Sequence, residues 1–203
     1  MPFIIAGLSA LILDLGIDFG TAAVAPTGAV TPEDAGLYPL DIHGLLLPFG
    51  VPSEHAIWRR KDGSEFMGGA LTFCEEGMPP DFLDSLAGLP LLGGDKRTRI
   101  GVITRAWVEG GAVRIAGRVK DTQRIRYHLT RDGYGLCVGF AFPENYAPMT
   151  EVGQMPPVTP KRVYVTLPGC AAFPQTFVTF TDRAVRWRPE DVLGMAPPMD
   201  WEW

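Results

Sequence analysis

The chain has no lysine or arginine before Arg59, so its first 58 residues carry Asp14, Asp18, Glu33, Asp34, Asp41 and Glu54 uncompensated. A secretory leader, which opens on a basic stretch, is therefore not expected. Long hydrophobic runs are missing as well: the apolar N-terminal stretch, residues 3–13, is far shorter than the roughly 18–20 residues that span a bilayer. Neither a signal peptide nor a membrane anchor is expected there. Cysteine is scarce and odd in number (Cys74, Cys137 and Cys170), with no CxxC, and His43, His55 and His128 add no ligand-spaced cluster, so neither zinc nor any other metal or cofactor is expected. Free thiols in a reducing compartment are the expectation. Basic charge is also too sparse for phosphate neutralisation. Eighteen Lys and Arg stand against 23 Asp and Glu, a net charge of −5, which argues against bulk nucleic-acid binding.

What the chain does have is glycine (24) and proline (19) above ordinary usage, favouring strands and turns over a helical bundle. A length of 203 residues suits one domain with appendages. Residues 1–58 net −6, leaving +1 for the remainder (−5 minus −6). Residues 20–40 lack strand or helix periodicity, so 1–40 reads as an extended arm. Its apolar tip docks on the body or a neighbour, or else forms a first element of the same core. The body is expected over 41–185 and an irregular aromatic tail over 186–203.

Within the body the run GLLLPFG at 44–50 is bounded by turn residues, and Pro79 and Pro80 open a short helix that Gly88 stops. The clearest signal is a hairpin, 100–108 and 112–120 joined by Glu109, Gly110 and Gly111. In its second arm Val113, Ile115, Gly117 and Val119 alternate with Arg114, Ala116, Arg118 and Lys120, giving one buried and one wet basic face. Asp121 or Thr122 can cap a helix to about 131 in which Ile125, His128 and Leu129 share a face. Strands are expected at 135–142, 162–167 and 176–181. The expected class is α+β: a small, mostly antiparallel β-barrel or curled sheet with two or three short helices.

Candidate chemistry is thin. Gly93-Gly94-Asp95-Lys96-Arg97-Thr98 lacks the spacing of a phosphate-binding loop. Lys96, Arg97 and Arg99 read as a solvated basic loop, and Glu75 and Glu76, taken as neighbours on a strand, would face opposite ways.

The order of segments from 91 to 142 resembles the prohead maturation proteases of tailed phages, whose fold is similar to the herpesvirus assemblin. The carrying pieces are Leu-Leu-Gly-Gly-Asp95, Arg99-Ile100-Gly101, the hairpin with Arg118, a helix, and GLCVGF at 135–140. Segments at 44–50 and 68–73 extend the resemblance to about 100 residues. It implies a catalytic histidine where Gly94 stands and a nucleophilic serine where Cys137 stands. Glycine has no proton acceptor, and a thiol needs a base to become a thiolate. The implied third member has no counterpart in residues 161–166. His128 reads as a packed helix residue, and His43 and His55 as surface or turn positions. The site is therefore degenerate at Gly94 and Cys137, with no catalytic residue assigned.

The expected function is a capsid-associated structural protein, a decoration, cement or minor head component, in the virion after assembly in the host cytoplasm. The alternatives are a working cysteine-type maturation protease and an unrelated β-rich binding module. Expected partners are the major capsid protein or other head proteins and further copies of the chain, with neither nucleic acid nor membrane. Phe3, Ile4, Ile5, Leu8 and Leu11 in the arm and Trp187, Trp201 and Trp203 in the tail are the candidate partner-binding residues, since aromatic and apolar side chains anchor interfaces.

Overall fold

A computed structural model describes residues 36–54, 56–59, 65–130, 134–141, 153–167 and 170–182. Eleven strands follow in chain order: β1 (Leu40–Pro48), β2 (Ala56–Arg59), β3 (Glu65–Gly68), β4 (Leu71–Thr72), β5 (Pro90–Leu92), β6 (Arg99–Val108), β7 (Ala112–Val119), β8 (Gly135–Ala141), β9 (Gly153–Gln154), β10 (Thr159–Thr166) and β11 (Phe177–Phe180). Helix α1 (Phe82–Leu86) precedes β5, and α2 (Gln123–Thr130) lies between β7 and β8.

Seven strands make one sheet in the order β11-β1-β7-β6-β5-β10-β8. Every pairing in it is antiparallel except β5 with β10, which the chain reaches by a crossover. The sheet curls until its two edges approach: the Val178 amide donates to the Tyr134 carbonyl, and the Leu136 amide to the Thr176 hydroxyl. The result is a half-barrel, the α+β architecture with a curled sheet that the patterning implies.

Alternation decides which side chains go inside. Along β7 Val113, Ile115, Gly117 and Val119 are buried while Arg114, Ala116 and Arg118 are half-buried. Along β1 Leu40, Ile42 and Leu46 point in, and Asp41, His43 and Leu45 point out. A column of rings crosses the interior: Phe49 on Phe73, Phe73 on Phe82, and Phe82 on Phe140, at centroid spacings of 5.8, 5.2 and 6.3 Å. It ties α1 to β8 through stacked and tilted ring contacts as well as apolar burial. Ile125 and Leu129 of α2 join the same core, and Thr122 caps that helix by accepting the Ile125 amide at 3.2 Å.

Gly44 marks where the edges meet. A Cβ built there would lie 2.3 Å from the Phe177 carbonyl oxygen and 2.7 Å from Leu136 Cδ1. Gly44→Ala therefore has to spread β1 from β11 or β8, and urea denaturation should show a loss of about 1–3 kcal/mol. A loss under about 0.5 kcal/mol would mean that the edges have room to move.

Two local expectations change. Glu75 and Glu76 are not on a strand but in a 3₁₀ turn, Glu75–Gly77, both exposed. The first body strand is longer than GLLLPFG and starts at Leu40, because Asp41 and His43 fit its outer face.

Candidate functional site

Cys137 sits in the middle of β8, directly opposite Tyr164 on β10. Leu136, Val138 and Phe140 occupy one face of β8 and belong to the core, so Gly135, Cys137 and Gly139 lie on the other. That outer face is covered too. Residues 170–176 fold over it, and the Ala172 amide donates to Cys137 Sγ at 3.3 Å. Glycine on either side of the cysteine lets the cover come close: a Cβ at Gly135 would meet Ala171 Cβ and Thr176 Oγ1, each at 2.7 Å, and one at Gly139 the Arg162 stem at 2.9 Å. Burial on both faces is why β8 carries no polar alternation.

Burial pushes the Cys137 thiol up to about 11. The Ala172 amide, the Lys96 charge and a hydrogen bond from Tyr164 act in the opposite direction, Cys170 acts with burial, and burial prevails. At pH 7 about one molecule in ten thousand would hold a thiolate, four pH units below that value. Among the described residues no imidazole acts on the sulfur. His128 is buried on α2 and its Nδ1 pairs with the Tyr134 hydroxyl at 2.7 Å, while His43 lies on the outer face of β1 with Nδ1 3.4 Å from the Thr181 hydroxyl. His55 is outside the described residues.

Gly94 lies in the turn that joins β5 to β6, and Asp95 organises that turn. One Asp95 oxygen accepts the Arg97 and Thr98 amides at 2.9 Å and the other accepts the Thr98 hydroxyl. Partial burial works to raise the Asp95 carboxyl, but the Thr98 hydroxyl, the two amides and the Arg97 charge together hold it below the usual carboxylate range. The turn puts Lys96 at a positive φ of 58° and its Nζ 5.3 Å from the centre of the Tyr164 ring. The segment holding Gly94 thus lies beside the strand pair holding Cys137. What it presents there is an ammonium group, which takes no proton from a thiol at neutral pH.

Asp95→Ala should loosen this turn. Each hydrogen bond is worth about 1 kcal/mol, so amide exchange at Arg97 and Thr98 should speed up by roughly fivefold or more. Unchanged exchange at both amides would show that the carboxylate does not hold the turn.

A second surface is absent from the sequence-derived candidates. The register brings Trp107 opposite Arg114, Arg114 opposite Leu45, and Leu45 opposite Phe177, so four strands contribute one row on the outer face of the sheet. The next row is Arg105, Ala116, His43 and Thr179. Leu45, Trp107, Arg114 and Phe177 are each half-buried. The Arg105 guanidinium lies 5.4 Å from the Trp107 ring centre, and Arg114 and Arg118 pair with Glu109 and Asp41. The wet basic face of β7 was the one sequence signal for it. Phe3, Ile4, Ile5, Leu8, Leu11, Trp187, Trp201 and Trp203 lie outside the described residues.

The sequence matches no protein-family model and no curated protein. Among solved structures the chain bears a distant similarity to the Kaposi's sarcoma herpesvirus protease in complex with an allosteric inhibitor. The TM-score is 0.35 at 11% identity, covering 71% of this chain and 77% of that one.

Proposed function

We propose that this chain is a structural component of a tailed-phage head, a decoration, cement or minor head protein, built on a prohead-protease-like scaffold that no longer cleaves. The observation that carries the proposal is the state of Cys137. At the position where the resemblance implies a nucleophile there is a thiol buried on both faces, pushed up to about 11, with no imidazole among the described residues acting on it. A triad without its base loses orders of magnitude in rate. The aromatic and apolar ends of the chain, with Phe3, Ile4, Ile5, Leu8, Leu11, Trp187, Trp201 and Trp203, supply anchors for the major capsid protein, other head proteins or further copies of the chain. The reading involves no cofactor and no enzymatic step.

The test is an inventory of purified particles by intact-mass spectrometry, with the chain incubated separately with its coat and scaffold proteins. The full-length mass at high copy number and no cleavage are the expected results. Coat or scaffold cleavage that Cys137→Ala abolishes would overturn the proposal in favour of a cysteine-type protease.

A further inference from the structure

We infer that the outer face of β6, β7, β1 and β11 is the docking surface for residues 1–34 of this same chain. The face offers an apolar row, Trp107, Leu45 and Phe177 with the Arg114 stem between them, each half-buried on the outer side of the sheet. Its charged residues are Arg105, Arg114, Arg118 and Lys120 against Asp41 and Glu109, a net +2. The occupant has to be apolar and acidic. Residues 1–34 combine the apolar run at 3–13 with Asp14, Asp18, Glu33 and Asp34, and they contain no Lys or Arg. The C-terminal 183–203 fit worse: Arg183, Arg186 and Arg188 offset most of Glu190, Asp191, Asp200 and Glu202, leaving −1 against −4 for 1–34.

Connection favours the chain's own segment over that of another copy. The apolar run at 3–13 is joined to Leu40, where β1 enters this face, by the 26 residues 14–39. A covalent tether of that length keeps the run at an effective concentration of order millimolar, above that of free copies in dilute solution. The inference does not need the capsid reading. It adds that Phe3, Ile4, Ile5, Leu8 and Leu11 are sheltered on the chain's own sheet until a partner competes for them.

Amide exchange read by mass spectrometry on the full-length chain tests this. Amides in residues 3–13 are expected to be protected, and to exchange at least tenfold faster after Trp107→Ala with Arg105→Glu. Asp14→Lys with Asp18→Lys should release them as well, without touching the body. Adding Asp14→Lys and Asp18→Lys to the Arg105→Glu chain should restore protection, which general damage to the fold would not allow. Exchange of β7 amides reports whether each variant is folded. Equal exchange of residues 3–13 in the parent and in the Asp14→Lys, Asp18→Lys chain would overturn the inference. So would protection that grows with protein concentration, since that assigns the face to another copy.

Discussion

Between pH 9 and pH 11 the protein is expected to lose roughly 2 kcal/mol of stability that a Cys137→Ala variant keeps. The thiol's ordinary value is 9.0 and burial raises it to about 11 in the folded chain, and each pH unit of difference is worth about 1.36 kcal/mol. The sign follows from proton counting. Above pH 9 the unfolded chain gives up this proton while the folded chain keeps it, so the folded state binds more protons and stability falls as pH rises. Below pH 9 both states hold the proton and this group contributes no pH dependence. Urea denaturation at pH 8, 9, 10 and 11 on both proteins checks the difference in slope, and any constant offset from the missing sulfur drops out. Parallel curves would mean that the sulfur is wetter than its cover of residues 170–176 implies. The same burial predicts the order of alkylation at pH 8: Cys74 and Cys170, both half-buried, react first, and Cys137 follows only on unfolding.

Phe82→Ala is expected to remove about 3–5 kcal/mol, the range for truncating a fully buried ring. Phe82 is 1% exposed and sits mid-column, with Phe73 at 5.2 Å and Phe140 at 6.3 Å. Its helix has five residues, far too few to stand alone in water, so α1 exists because Phe82 and Leu86 are docked. Losing the ring leaves a cavity and also frees the helix from β8. Against a total stability of roughly 5–15 kcal/mol this is a large share. The melting temperature should fall by roughly 6–20 °C for a chain of this size. Asp81→Ala is the control: Asp81 precedes the helix without a side-chain capping bond, so its removal should stay within about 0.5 kcal/mol. A Phe82→Ala loss under about 1.5 kcal/mol would show that the ring column closes up around the gap.

The parts of the fold legible in the sequence are those whose signal is local. The period of two in 112–119 places Val113, Ile115 and Val119 inside, and the hairpin turn follows from Gly110 and Gly111, both at positive φ. Thr122 caps α2, and Ile125, His128 and Leu129 share its buried face. Glu75 and Glu76 were less legible, since nothing in two adjacent glutamates separates a 3₁₀ turn from a strand. The candidate site was legible by position only. Gly94 and Cys137 lie on neighbouring segments, but the facing of Lys96 on Tyr164 depends on a turn held by Asp95 and on a positive φ that Lys96 does not advertise.

Which residues can alternate, turn or cap is written along the chain, because backbone sterics and side-chain polarity act over a few positions; that is enough for β1, β6, β7, β8, β10 and β11, for α1 and α2, and for the α+β class, but not for the short strands β2, β3, β4, β5 and β9. Which of those strands become neighbours is not local. Setting β5 parallel to β10, bending β1 toward β8 across Gly44 and laying residues 170–176 over Cys137 all join segments far apart in sequence. Only that assembly buries Cys137, raising its thiol, and lines up Trp107, Arg114, Leu45 and Phe177 from four strands. Desolvation and sheet register belong to the packed molecule and have no counterpart in any short stretch of its chain.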